Sequence, residues 1–112
     1  VMMLAVVDGK VAGNASINGL GNKRKILHRC SLAIALKKEY WNLGIGREMI
    51  EYLIELAKQI GFEQMDLEVV DGNDNAKYLY EKCGFIETGK RMRALKDDDG
   101  TYRDEIIMYR VL

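Results

Sequence analysis

The chain has 112 residues, 48% of them hydrophobic and 30% charged, which bounds it to one globular domain with a real core. Its 17 Lys and Arg balance 17 Asp and Glu, so there is no surplus of cations for bulk nucleic-acid binding. No apolar run approaches the roughly 18 residues of a membrane span.

The opening run, Val1-Met2-Met3-Leu4-Ala5-Val6-Val7, is short, ends at a turn signal and lacks the basic head of a signal peptide. It starts with valine inside an apolar stretch, so the expectation is the later part of a longer polypeptide, or a product whose N-terminus is missing. Residues 4–7 and 10–17 flank Asp8-Gly9, a pair suited to the two positive-φ positions of a hairpin turn. A polar loop follows over 18–25, and its basic cluster, Lys23-Arg24-Lys25, reads as solvated. Residues 26–37 form the next strand. Residues 32–36 are nearly all apolar, which predicts burial on both faces.

A helix is predicted over 46–59, with Ile50, Leu53, Ile54, Ala57 and Ile60 on one face and Gly61 as its stop. Residues 65–70 read as a strand. Asn73 or Asp74 caps a second helix, whose inward stripe is Ala76, Leu79, Tyr80 and Cys83, and Gly84 ends it. Residues 85–112 read as two strands around Asp99-Gly100. The order is β-β-β-α-β-α-β-β, a mixed α+β chain. Cys30 and Cys83 have no metal or redox spacing. They are expected as buried, reduced thiols of a cytoplasmic protein, and no metal is expected.

The segment with most chemical content is Trp41-Asn42-Leu43-Gly44-Ile45-Gly46-Arg47, between a strand and a helix. Two glycines strip side chains from the turn. Backbone N–H groups then point outward at the positive end of a helix dipole, which suits a phosphate or pyrophosphate. A plain tight turn uses the same residues. A dinucleotide fold would need a third glycine where Met49 stands, although Glu68 lies at about the required 20-residue distance. Only one further helix crossover follows, too little for a doubly wound sheet. A P-loop would need Gly-Lys-Ser/Thr, and Gly46-Arg47-Glu48 does not supply it.

Three segments together resemble the GCN5-related N-acetyltransferase (GNAT) superfamily, of bacterial type. Residues 32–46, ending in Trp41-Asn42-Leu43-Gly44-Ile45-Gly46, resemble its fourth strand and acetyl-CoA pyrophosphate loop. Residues 73–85 match its Asn-x-x-Ala-x-x-x-Tyr-x-x-x-Gly-Phe signature through Asn73, Ala76, Tyr80, Gly84 and Phe85. Gly100-Thr101-Tyr102-Arg103-Asp104, with Met108 after it, resembles the closing strand pair. The resemblance implies a mostly antiparallel central sheet whose fourth and fifth strands splay apart. It implies one acetyltransferase domain over residues 1–112, lacking the family's first strand and two helices. Those elements build much of the acceptor wall.

By the same resemblance, acetyl-CoA is the co-substrate and a primary amine, small molecule or peptide, is the acceptor. Ile34, Ala35 and Leu36 would pair with the pantetheine arm as a pseudo-strand. Trp41, Asn42, Leu43, Gly44, Ile45, Gly46 and Arg47 would form the pyrophosphate loop, with Asn73, Ala76 and Tyr80 lining the cofactor. Tyr80 is the implied general acid for the departing thiolate, a role a phenol of pKa about 10 suits against a thiol of about 8.5. Its alternative is a core aromatic with a satisfied hydroxyl.

The sequence departs from the family pattern twice. Trp41 stands where Gln or Arg is frequent, and Ser31 where many members carry a basic Glu. Glu68, His28 or ordered water remain as bases. A CoA-binding or protein-interaction module without turnover is the alternative function. Exposed edge strands make a homodimer an expectation; membrane and nucleic-acid partners are not expected.

Overall fold

The structure is a computed structural model describing residues 1–112. Six strands form one sheet in the order β1-β2-β3-β4-β6-β5. The chain divides into two compact units, Val1–Met65 with Val111–Leu112, and Asp66–Arg110.

The first unit opens with the hairpin of β1 (Met2–Val7) and β2 (Lys10–Gly19), paired antiparallel. Asp8 and Gly9 take φ of 50° and 77°, as a turn matched to the twist of the flanking strands requires. β3 (Arg29–Leu36) pairs antiparallel with β2. Two single-turn 3-10 helices, Arg24–Ile26 and Lys38–Tyr40, bracket β3; neither was legible in the pattern. Helix α1 (Ile45–Ile60) contacts β2 and β3. Its Met49, Ile50, Leu53, Ile54 and Ala57 are buried, as are Ala15, Ile17, Cys30 and Leu32 of the strands. Each fully buried Leu or Ile contributes about 1.5–3 kcal/mol, so these side chains stabilise the packing of α1 on the strands. Gly61 ends α1 at φ 112°, donating to the Ala57 and Lys58 carbonyls.

Two expectations need correction here. β3 is buried on one face only. Its register aligns Ala35 with Asn14 and Leu4, and Ala33 with Ser16 and Met2, and Ala33, Ala35, Met2 and Leu4 are exposed. The strand alternates despite its apolar run because alanine is small enough to face solvent at little cost, and α1 packs on the opposite side. Ile60 is exposed too, because the chain turns at Gly61 before the stripe closes over it.

The second unit holds most of β4 (Gln64–Val70), α2 (Asp74–Lys82), β5 (Ile86–Lys96) and β6 (Tyr102–Val111). β5 and β6 pair antiparallel, with irregularities at Glu87/Gly89 and Arg91/Leu95. Leu67, Val69, Tyr80, Cys83, Phe85, Ile106 and Met108 form its core. Asn73 is the N-cap of α2, its side-chain oxygen accepting the Ala76 N–H at 3.3 Å. At the other end the Arg110 guanidinium donates to the Cys83 carbonyl at 2.8 Å, a cation where the helix dipole is negative. Cys30 and Cys83 are buried and form no disulfide. No helix is long and apolar enough to cross a membrane.

Candidate functional site

In the first unit, the site residues gather where β3 ends and α1 begins. Lys37 donates to the Ala12 carbonyl and Leu20 to that of Arg29, both continuing the β2–β3 register. Antiparallel ladders alternate, so Arg29, Ser31, Ala33 and Ala35 turn their backbone groups toward β2. Ile34 and Leu36 turn theirs away. At the start of β3 the outward side is engaged, since the His28 carbonyl accepts the Glu63 and Gln64 N–H groups. At its end the Leu36 carbonyl accepts the indole N–H of Trp41 at 2.8 Å.

The glycine turn itself is built from left-handed residues. Asn42 sits at φ 61° and Gly44 at φ 84°, a region in which glycine is at ease, asparagine is tolerated and most other side chains are strained. Gly44 is the N-cap of α1 and carries no capping side chain. The helical ladder starts with the Glu48 N–H donating to the Gly44 carbonyl at 3.1 Å. The amides of Ile45, Gly46 and Arg47 therefore lie outside it, at the positive end of a 16-residue helix. Gly46 is buried, whereas Leu43 is 64% exposed. Arg47 bonds Glu51 one turn on at 2.8 Å, both side chains half exposed. This pair is worth about 0.3–0.5 kcal/mol and holds the guanidinium along the helix.

In the second unit, Tyr80 is buried on α2 with its ring edge-to-face against Phe85, centroids 6.1 Å apart. Burial, then the neighbouring Cys83, raises its pKa above the usual tyrosine value. The phenol thus stays protonated through neutral and mildly alkaline pH. Tyr78 points outward, 60% exposed, with the Lys82 ammonium 4.6 Å from its ring centroid. Asn73 is occupied by capping, and Ala76 follows it at the start of α2, half-buried.

The three base candidates stand differently. Glu68 on β4 is half exposed, 3.3 Å from Arg91, whose Nη1 also donates to Glu105 at 3.1 Å. Arg91 and Glu105 face each other across the β5–β6 register. Their meeting depends on the irregular hairpin register, which residue spacing does not reveal. His28 lies in the turn before β3, half-buried, and engages the chain through its carbonyl. Ser31 donates to the Asn18 carbonyl at 3.4 Å. No group of three or more His, Cys, Asp or Glu is placed to hold a metal.

The chain has relatives of known description. It is 37% identical over 75 residues to the [Ribosomal protein bS18]-alanine N-acetyltransferase of Escherichia coli K12, covering 67% of this chain and 50% of that protein. The chain thus spans about half the length of the curated relatives it matches first. The crystal structure of an acetyltransferase of the GNAT family from Streptococcus pneumoniae superposes with a TM-score of 0.92 at 30% identity, over 99% of this chain and 66% of that one. A GNAT superfamily phosphinothricin acetyltransferase from Sinorhizobium meliloti, solved with AcCoA, shares the fold at a TM-score of 0.89 and 23% identity, over 99% and 60% of the two chains. The model of the acetyltransferase (GNAT) family matches residues 1–85, a span that carries the glycine turn and the whole of α2 with its capping Asn73 and buried Tyr80, and the chain belongs to that family.

Proposed function

We propose that this chain is the acetyl-CoA-binding and catalytic part of an N-acetyltransferase, moving an acetyl group from acetyl-CoA to a primary amine. The observation that carries this reading is the uncapped start of α1 after the left-handed Asn42 and Gly44. Backbone amides from Leu43 to Arg47 hold the pyrophosphate there without a side chain in the way. The outward backbone of Ile34 and Leu36, with Ala35 between them, accepts the pantetheine arm as an added strand. One carbonyl lone pair of Leu36 is already engaged by Trp41, which leaves the other for a ligand.

Acetyl-CoA supplies the activated acyl group. The amine nitrogen attacks the thioester carbonyl directly, the carbon–sulfur bond breaks, and the thiolate takes the Tyr80 hydroxyl proton. The amine's own proton goes to Glu68, His28 or ordered water. Burial keeps the Tyr80 phenol protonated at neutral pH, so a proton is present at the site, while the same desolvation makes its release costlier. The acceptor is a small-molecule or peptide amine. The ribosomal-protein alanine specificity of the Escherichia coli relative supports including a protein N-terminus among the candidates. Residues 1–112 act as one domain in this reading.

Thiol release from acetyl-CoA, followed across a panel of amines, tests the proposal. Release with at least one amine supports it. Tight CoA binding with no release on any amine would support a binding module, in keeping with Ser31 standing where many members carry a Glu.

A further inference from the structure

Trp41 is the only tryptophan in the chain and lies inside the turn, and its indole donor is engaged within the chain itself. The indole N–H reaches back five residues to the Leu36 carbonyl at 2.8 Å. Its backbone N–H donates to the Lys38 carbonyl at 3.1 Å, and Tyr40 to Lys37 at 2.9 Å. Residues 36–41 are thereby closed into a loop hinged on the end of β3. Immediately beyond stand Asn42 and Gly44, both left-handed, and then an α1 start with no side-chain cap. Nothing on Gly44 holds that turn in shape, and Asn42, a residue type that tolerates the left-handed region, is free to leave it as well.

We propose that Trp41 is a positioning residue for cofactor binding: its indole hydrogen bond to Leu36 fixes the glycine turn in the conformation that presents the α1 amides. The inference rests on the reading of that turn as the pyrophosphate site. It reassigns Trp41 from ligand contact to support of the loop. The bond is exposed to solvent, so its contribution to global stability is small. Its effect falls on binding, because a turn already held in place loses less conformational freedom when the ligand arrives. The bond also fixes which carbonyl of β3 is partly engaged before the pantetheine arm is bound.

Two replacements separate the hydrogen bond from the ring. W41F removes the donor and shortens the side chain. Incorporation of 3-benzothienylalanine at position 41 keeps the bicyclic shape and puts sulfur where the N–H was. CoA binding is measured by calorimetry for all three proteins, ligand-free melting by circular dichroism, and KM for acetyl-CoA and kcat on any accepted amine. The expected result is about 3- to 10-fold weaker CoA binding in both variants, the size of one hydrogen bond. Melting is unchanged, and KM for acetyl-CoA rises while kcat holds. Undiminished CoA affinity in the isostere, beside a wild type that binds, overturns the positioning role. A loss in W41F alone assigns the effect to ring shape and overturns it as well. A wild type that binds no CoA overturns the cofactor reading itself, a distinguishable failure.

Discussion

Gly13 of β2 lies against the carbonyl of Ala35 on β3. A methyl group in its place would run into that oxygen and stand 2.9 Å from the Leu36 Cα. Both obstacles are backbone, so the strands themselves would have to part. They would part at the segment whose end carries Leu36 and the bond from Trp41. Gly13→Ala should lower stability by about 1–3 kcal/mol, the usual cost of overpacking, read from urea unfolding. CoA affinity should fall with it. Wild-type stability in this variant would mean that the hairpin shifts to admit the methyl group.

The glycine turn should be sensitive at two positions for different reasons. Gly44→Ala places a Cβ in open space, but at φ 84° the left-handed backbone itself costs about 1–2 kcal/mol. Gly46→Val puts a bulky residue at the amides proposed to hold the pyrophosphate, and CoA affinity should drop by on the order of tenfold or more, about 1.4 kcal/mol per decade. Circular dichroism controls for folding at this buried position. Calorimetry with unchanged affinity in a folded Gly46→Val would remove the turn from the binding site.

Tyr80→Phe keeps the ring and its edge-to-face contact with Phe85 while removing the hydroxyl. If Tyr80 protonates the departing thiolate, turnover should fall by on the order of 10²–10⁴, with acetyl-CoA affinity little changed. The alkaline limb of the rate profile should weaken as well. Thiol release measured against pH for both proteins decides the point. Equal rates would leave Tyr80 as a core aromatic and solvent as the proton source.

Burial of the same phenol has a consequence for stability. Its folded pKa is raised above the ordinary value, so the folded state keeps the proton to higher pH than the unfolded chain does. Stability from this group is complete below the unfolded tyrosine value of about 10 and is lost as pH rises through the folded one. Melting temperatures between neutral and strongly alkaline pH should therefore fall less steeply in Tyr80→Phe than in the wild type. Parallel curves would show that Tyr80 titrates as though exposed.

The two cysteines supply a test of the packing. Both are buried and not bridged. A thiol reagent should modify them slowly in the native protein, and both should react at once after denaturation without reductant. Rapid modification of the native protein would show that the cores around Cys30 and Cys83 open readily.

Much of this molecule is local and therefore legible in the chain itself. Asp8-Gly9, Gly61, Asn73 and Gly84 each act through their own conformational preferences or their nearest neighbours, so they mark the ends of elements wherever the chain folds. The 3.6-residue stripe of α1 identifies its buried face for the same reason. The glycine turn and the 73–85 signature identify the family because they are contiguous.

What the amino-acid order did not decide is everything that depends on which strands meet and in what register. Residues 32–36 are as apolar as a doubly buried strand, yet Ala33 and Ala35 face solvent, because only the arrangement of α1 determines which face is covered. Arg91 meets Glu105 and Glu68 through strand pairing that spacing does not reveal. Trp41 stands where Gln or Arg is frequent in the family, and its spacing does not reveal that the end of β3 brings the Leu36 carbonyl within reach of its indole. Short-range conformational preference is written residue by residue. Contacts between segments distant in the chain, and the direction in which a donor points, are settled only when the backbone has closed around them.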